Sequence, residues 1–197
     1  MKLYERLPDR VQVGGKTYLL DLDFRNVLEM LDVLGRDDII QGARDYMALR
    51  CVMKRPPKRG CADVLNAVRK MLFPAAKSSN APSITNFEQD ADLIRAAFRQ
   101  EYGINLYRDH LHWIEFSALL AGLPEGSRYV EVLGIRSRPM PSPTKYNAEE
   151  RKWLAKAKAQ YALKLSEKEQ KESLNQGLRD VALSLLALAE TRGEDHG

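Results

Sequence analysis

Residues 87–136 read FEQDADLIRAAFRQEYGINLYRDHLHWIEFSALLAGLPEGSRYVEVLGIR and carry the clearest structural pattern in the chain. Apolar residues recur at helical spacing on both sides of Tyr102-Gly103. Gly103 predicts a helix end, because glycine takes the left-handed conformation without steric cost. The second helix, predicted over residues 109–121, is apolar nearly all round, which is typical of a helix in the middle of a core.

The start of the first helix carries a capping pattern. Thr85 followed by Glu88 is typical of a capping box, in which each side chain binds a free backbone amide of the first turn. We therefore expect this helix to begin near Asn86. Glu88, Asp90 and Asp92 would then lie early in the helix, where carboxylates complement its dipole.

Composition sets broad limits on the class of protein. The chain has 197 residues, 44% of them apolar, which is enough for a sizeable core. Its formal net charge of +4 does not require a nucleic-acid partner. No apolar run approaches the roughly 20 residues of a membrane span, and the opening MKLYERLPDR lacks the apolar stretch of a signal peptide. We expect a cytoplasmic protein, with Cys51 and Cys61 reduced.

The N-terminal third predicts a hairpin followed by helices. Gly14-Gly15 joins two short segments and permits the positive φ angles of a primed turn, which predicts a β-hairpin. Asp23 is expected to cap a helix that Gly35 closes. Further helices are predicted over residues 38–52 and 63–73, with a proline-containing basic loop between them.

A proline-rich segment divides the chain. Three prolines within residues 137–146 predict a stiff linker between a helical core domain, residues 1–136, and a C-terminal helical arm, residues 147–197. Asn147 with Glu150, and Ser166 with Glu169, are expected to cap the two helices of the arm. The predicted fold class is mainly α with a short N-terminal β-hairpin, a compact helical domain plus a C-terminal helical extension.

The last helix of the arm has an apolar stripe at spacings of three and four. We call Leu174, Leu178, Val181, Leu185 and Leu188 the C-terminal stripe. It could pack back onto the core, or it could present a helix to another copy or to a partner protein. A broad exposed apolar face would need such a partner. The stripe is therefore our candidate partner-binding surface.

The sequence offers few candidates for catalysis. His110 and His112 would project in different directions from a helix, so we interpret them as capping or packing residues and not as metal ligands. Trp113 and Phe116 at helical spacing are typical of a core. The chain has no Gly-rich phosphate loop, nucleophile elbow or HExxH motif. We expect no enzymatic activity, no cofactor, and no catalytic, cofactor-binding or metal-binding residues.

Two lysine- and arginine-rich regions could contact phosphates: residues 54–59, KRPPKR, and the helix after Asn147. Glutamates interleave with the lysines of the C-terminal arm, which favours a solvated, salt-bridged face. We do not expect a nucleic-acid partner or a membrane partner.

The region first quoted resembles the bacteriophage "Gp fifteen" protein family, in which an acidic helix opening with Asp-Ala runs into Tyr-Gly-Ile, Leu-His-Trp, Ala-Leu-Leu-x-Gly-Leu and Ile-Arg. It differs at His110 and at Ile114, where relatives often carry a second tryptophan. The matching residues are Asp90, Ala91, Ala96, Ala97, Phe98, Tyr102, Gly103, Ile104, Leu111, His112, Trp113, Phe116, Ala118, Leu119, Leu120, Gly122, Leu123, Ile135 and Arg136.

The resemblance implies a function in phage tail assembly. Members of the family look like the tail assembly chaperones of siphophages. The chain would then bind the tape measure protein, tail tube subunits or both in the host cytoplasm, form homo-oligomers, and be absent from the mature virion. Two other classes stay open: a structural virion component such as a head-tail or tail adaptor, and a small helical nucleic-acid-binding regulator.

Overall fold

A computed structural model describes residues 4–73 and 84–164 of the chain. Within these residues, one hairpin is followed by seven helices, which confirms the predicted mainly α fold. The elements are β1 (Arg10–Val13), β2 (Lys16–Leu19), α1 (Phe24–Gly35), α2 (Gln41–Val52), α3 (Cys61–Leu72), α4 (Ala91–Tyr102), α5 (Trp113–Ala121), α6 (Arg128–Ser137) and α7 (Ala148–Tyr161). In the described part of the chain, no helix is both long enough and apolar enough to cross a membrane.

The N-terminal hairpin forms as predicted. Gly14 and Gly15 have φ angles of 57° and 74°, as a primed two-residue turn requires. Val11 of β1 pairs with Tyr18 of β2, and β1 packs on α3. The hairpin therefore closes one side of the helical core.

The first three helices match their predicted regions and differ at their ends. The Asp23 carboxylate caps α1 by accepting a hydrogen bond from the Arg25 N–H at 3.0 Å, as expected. Gly35 does not close α1 in a left-handed conformation. It is the last helical residue, and the extended Arg36 follows it. α2 begins at Gln41, three residues later than predicted, and α3 begins at Cys61, two residues earlier.

The predicted capping box before α4 is wrong. The Asn86 side chain accepts the backbone N–H groups of Glu88 and Gln89, at 3.0 and 2.9 Å, and the chain makes a turn before α4 begins at Ala91. The Thr85 hydroxyl instead lies 3.3 Å from the hydroxyl of the buried Tyr129. At the other end, Gly103 has a φ of 70° and ends α4, as predicted.

α5 begins at Trp113 and not at residue 109. Asn105 and Asp109 form a turn between α4 and α5, because the Asp109 carboxylate accepts the Asn105 N–H at 2.7 Å. The predicted start overlooked this local alternative to a helix. The backbone at the start of α5 is hydrogen-bonded to the backbone just before α1, because the Trp113 N–H donates to the Leu22 carbonyl at 2.8 Å.

Phe116 lies at the centre of an aromatic core. Its ring stacks on Phe24 of α1 at 4.6 Å between centroids and on Phe98 of α4 at 5.2 Å. Trp113 and Phe87 also contact it, at 5.7 and 6.3 Å. Trp113 and Phe116 are 5% and 1% exposed, which confirms their interpretation as core residues. Rings from α1, the turn before α4, α4 and α5 therefore meet at one point.

α6 is a helix that the sequence patterns above do not predict. Ser127 caps it by accepting the Val130 N–H at 3.4 Å. α7, the first helix of the predicted arm, packs on α6 and buries Leu154 completely. Asn147 does not cap α7, because its side chain binds Thr144 and Ser142 in the preceding linker. The division into core domain, linker and arm stays a prediction.

Candidate functional site

A groove runs between α1 and α4. α1 packs on α2 and α5, whereas α4 packs on α5 and α6. Two adjoining cavities of about 330 and 820 Å³ lie along this space. Leu28, Phe87, Ala91 and Arg95 line both of them. We call this continuous depression the α1–α4 groove.

The floor of the groove is apolar. It consists of Phe24, Leu28, Phe87, Ala91, Ile94 and Phe116. Phe24 and Phe116 belong to the stacked aromatic core, so their positions are fixed by packing beneath the groove. Leu28, Phe87 and Ala91 are only partly buried and present apolar surface at the opening. A preformed apolar floor of this kind can accept apolar side chains of a ligand without rearranging.

The rim of the groove carries both signs of charge. Its charged and polar residues are Arg25, Glu29, Asp32, Glu88, Arg95 and Tyr107. The Arg95 guanidinium lies over the Tyr107 ring at 4.6 Å and binds the Asp92 carboxylate at 3.1 Å. Mixed charges around an apolar floor are what an amphipathic helix needs, because its apolar face can be buried while its flanks stay solvated.

The turn that places Phe87 in the floor is held by a buried ion pair. Asp90 is 1% exposed, and Arg136 of α6 donates two hydrogen bonds to its carboxylate, at 2.8 and 2.7 Å. The same carboxylate accepts the Asn86 N–H at 3.0 Å. Arg136 also donates to the Ile84 carbonyl at 3.0 Å. Residues 84–90 are thus fixed at both ends to one guanidinium.

The electrostatics of Asp90 follow from these contacts. Burial alone would raise the pKa of the Asp90 carboxyl. The hydrogen bonds from Arg136 and Asn86, together with the guanidinium charge, outweigh burial and hold the pKa below its usual value. Asp90 therefore acts as a structural anion immediately before α4, and its pairing with Arg136 is a contact that the sequence pattern did not predict.

The two histidines have separate structural contacts. His112 caps α5, because its Nδ1 accepts the Ile114 N–H at 3.1 Å while its Nε2 lies 3.0 Å from the Pro8 carbonyl. This confirms the predicted capping function of His112. His110 is exposed and lies 2.9 Å from Asp23, the residue that caps α1. In residues 4–73 and 84–164, no cluster of three His, Cys, Asp or Glu side chains is placed to hold a metal ion.

The basic segment of residues 54–59 does not line the groove. The basic residues within positions 54–59 are exposed on the loop between α2 and α3. The C-terminal stripe, Leu174, Leu178, Val181, Leu185 and Leu188, lies outside the described residues, so its nomination as a partner-binding surface stays a prediction.

A second depression lies between α6 and α7. It measures about 510 Å³ and contacts Trp153, which is 56% exposed. Its rim is strongly charged, and Arg138 at this rim is already paired with Glu150 at 2.6 Å. We take the larger α1–α4 groove, whose floor rests on the stacked aromatic core, as the candidate functional site.

The groove is not predicted by the sequence patterns, although the position of Phe87 gives a hint. In the sequence, Leu28, Phe87 and Ala91 recur at helical spacing with other apolar residues, a pattern that predicts the core-facing side of a helix. The groove lies between α1 and α4, which both pack on α5. That relationship depends on tertiary structure. The position of Phe87, just before a helix that already has its own apolar face, is the only local hint.

A comparison with known proteins gives a family match. The sequence model of the family described as Bacteriophage Gp15 protein matches residues 3–163. This range includes the hairpin, all seven described helices and the α1–α4 groove. No curated protein and no solved structure matches the chain.

Proposed function

The chain belongs to the Bacteriophage Gp15 protein family and is a phage protein, and on this premise we propose that it is a tail assembly chaperone. It binds the tape measure protein while the tail is being built. Binding is non-covalent and reversible, and the proposal involves no enzymatic activity and no cofactor. The supporting observation is the α1–α4 groove, which offers an apolar floor and a charged rim to a helical client.

The proposed mode of binding is a helix in a groove. The tape measure protein of such a phage is long and largely helical, so one client molecule would offer many amphipathic segments. Anchors at helical positions i, i+3, i+4 and i+7 on the client would contact Leu28, Phe87 and Ala91. Charged residues on the flanks of the client helix would meet the mixed charges of the rim. Several copies of the chaperone would then cover one client.

Tail tube subunits are the second partner, and the chaperone self-associates. A protein that covers a long client in many copies gains from contacts between neighbouring copies. Binding takes place in the host cytoplasm, and the chaperone leaves before the tail is complete. Its absence from purified mature virions is a direct consequence of this proposal.

Co-expression of the full chain with the tape measure protein of the same phage tests the proposal. Affinity purification should recover both proteins, and native mass measurement should give several copies of the chain on each client. Failure to recover a complex, with soluble full-length tape measure protein present, would contradict the proposed function. Stoichiometric amounts of the chain in purified virions would favour a structural component instead.

A further inference from the structure

We propose that the C-terminal segment of this chain, residues 174–188, occupies the α1–α4 groove of its own molecule when no client is bound. The segment would act as an internal competitor for the client site. This inference rests on the proposed function for its regulatory meaning. The docking itself rests on the geometry of the described residues.

The described chain ends next to a residue of the groove rim. Lys164 is its last described residue, and both backbone groups of Lys164 bind the side chain of Gln89. The Lys164 N–H donates to Gln89 Oε1 at 2.7 Å, and Gln89 Nε2 donates to the Lys164 carbonyl at 3.0 Å. Gln89 follows Glu88, which lines the groove. The last described residue therefore lies close to the groove rim.

Arg136 fixes the position of this end of the described chain. Its guanidinium holds the Asp90 carboxylate, and its Nε donates to the Tyr161 carbonyl at 2.6 Å. The Lys158 ammonium donates a hydrogen bond to the Arg136 carbonyl at 2.8 Å. The end of α7 and the turn that forms the groove wall are thus attached to the same residue, which keeps the end of α7 close to the groove.

The connection between Lys164 and the C-terminal stripe is short. Nine residues, 165–173, precede the first leucine of the C-terminal stripe. Nine residues span about 14 Å as a helix and about 30 Å when extended. A tethered ligand with such a short connection has an effective concentration on the order of millimolar at a nearby site. Weak intrinsic binding is therefore enough for substantial occupancy.

The composition of the segment matches the floor of the groove. Residues 174–188 read LNQGLRDVALSLLAL, with one arginine and one aspartate among fifteen residues. Its stripe residues recur at spacings of four and three, the pattern with which helices bind grooves. Left without a partner, this many leucines would form the kind of apolar surface that soluble proteins rarely expose. The groove offers an apolar floor close to the last described residue.

Occupation by the chain's own segment would weaken client binding in a measurable way. If the segment fills the groove for about nine-tenths of the time, the apparent affinity for the client falls about tenfold. A long client with many helical segments can still displace it, whereas a short unrelated helix cannot. The segment would thus limit binding to clients that offer many contacts.

Photo-crosslinking in the full-length protein tests the docking without a client. A benzophenone amino acid at Glu88, on the exposed rim, should crosslink to residues 174–188, as mapped by mass spectrometry. The same amino acid at Lys16, the exposed first residue of β2, serves as the control and should not crosslink to the segment. Mixing isotopically light and heavy protein distinguishes contacts within one molecule from contacts between two. Light–heavy crosslinks would overturn the proposal in favour of exchange between copies, and absence of crosslinks to the segment would overturn it outright.

A matched pair of variants separates this inference from the proposed function. The double variant Leu178→Lys/Leu185→Lys should lose the crosslink and raise capture of co-expressed tape measure protein about tenfold. The control Gln176→Lys/Ala187→Lys adds the same charge on the opposite helical face and should change neither. Crosslinks without any client capture would refute the chaperone function alone. Loss of capture in the Leu178→Lys/Leu185→Lys variant would show that the stripe itself binds the client, which refutes internal competition.

Discussion

Arg136 of α6 and Asp90, which immediately precedes α4, form an ion pair with two hydrogen bonds of 2.7 and 2.8 Å. Their side chains are 11% and 1% exposed. This pair joins α6 to the turn that carries Phe87, and through Tyr161 it also joins both to α7. The shape of the α1–α4 groove therefore depends on an ion pair whose two residues do not line it.

Removing the guanidinium should strongly destabilise the protein. Arg136→Ala leaves the Asp90 carboxylate buried without its partner, a change that typically costs about 3–5 kcal/mol. Urea denaturation followed by circular dichroism measures the free energy of unfolding. Arg138→Ala is the matched control, because its pair with Glu150 is about half exposed and should contribute less than about 1 kcal/mol. Equal losses for the two variants would contradict the importance of the buried pair.

The ion pair should also give the stability a specific pH dependence. The pKa of Asp90 is lowered in the folded protein, so its contribution is complete above the unfolded value of about 3.9 and is lost as pH falls through the folded pKa. The difference in free energy of unfolding between the wild type and Asp90→Asn should be constant above about pH 5 and shrink below about pH 4. Urea titrations from pH 3 to pH 7 check this. A difference that grows on acidification would show that the sign is wrong.

The two neighbouring histidines should differ in their effect on stability. His112→Ala removes the cap of α5 and the contact with Pro8, which should cost about 1 kcal/mol. His110→Ala alters an exposed side chain and should change stability by less than about 0.5 kcal/mol. Thermal and urea denaturation of both variants provide the comparison. A larger loss for His110→Ala would contradict the assignment of His112 as the cap.

Much of the fold could be predicted from local patterns. Gly14-Gly15, Asp23 and Gly103 each act through their own backbone or that of near neighbours, so their functions follow from residue type and spacing. The apolar helix that contains Trp113 and Phe116 is buried as its composition predicts. These features need no knowledge of distant parts of the chain.

Two unpredicted contacts arise where a distant residue competes with a local partner. Asp90 fits the first turn of a helix, yet Arg136, 46 positions away, binds it. Thr85 fits a capping box, yet it lies beside Tyr129 and Asn86 supplies the cap. The groove also depends on contacts between distant parts of the chain, because it lies between two helices, α1 and α4, that both pack on α5. The spacing of residues within one helix does not indicate which other helices it packs against.

The central claim is that the α1–α4 groove binds a helix of the tape measure protein, and one pair of variants tests it directly. Ala91→Glu places a charged side chain in the floor of the groove. It should not weaken α4, because a carboxylate is favourable in the first helical turn. Ala96→Glu, on the exposed side of the same helix, is the matched control.

Both variants should keep the wild-type circular dichroism spectrum and urea midpoint. In pull-downs of co-expressed tape measure protein, Ala91→Glu should reduce capture at least about tenfold, equivalent to about 1.4 kcal/mol, while Ala96→Glu captures as much as wild type. Equal capture by folded Ala91→Glu and Ala96→Glu would contradict the assignment of the groove as the client site.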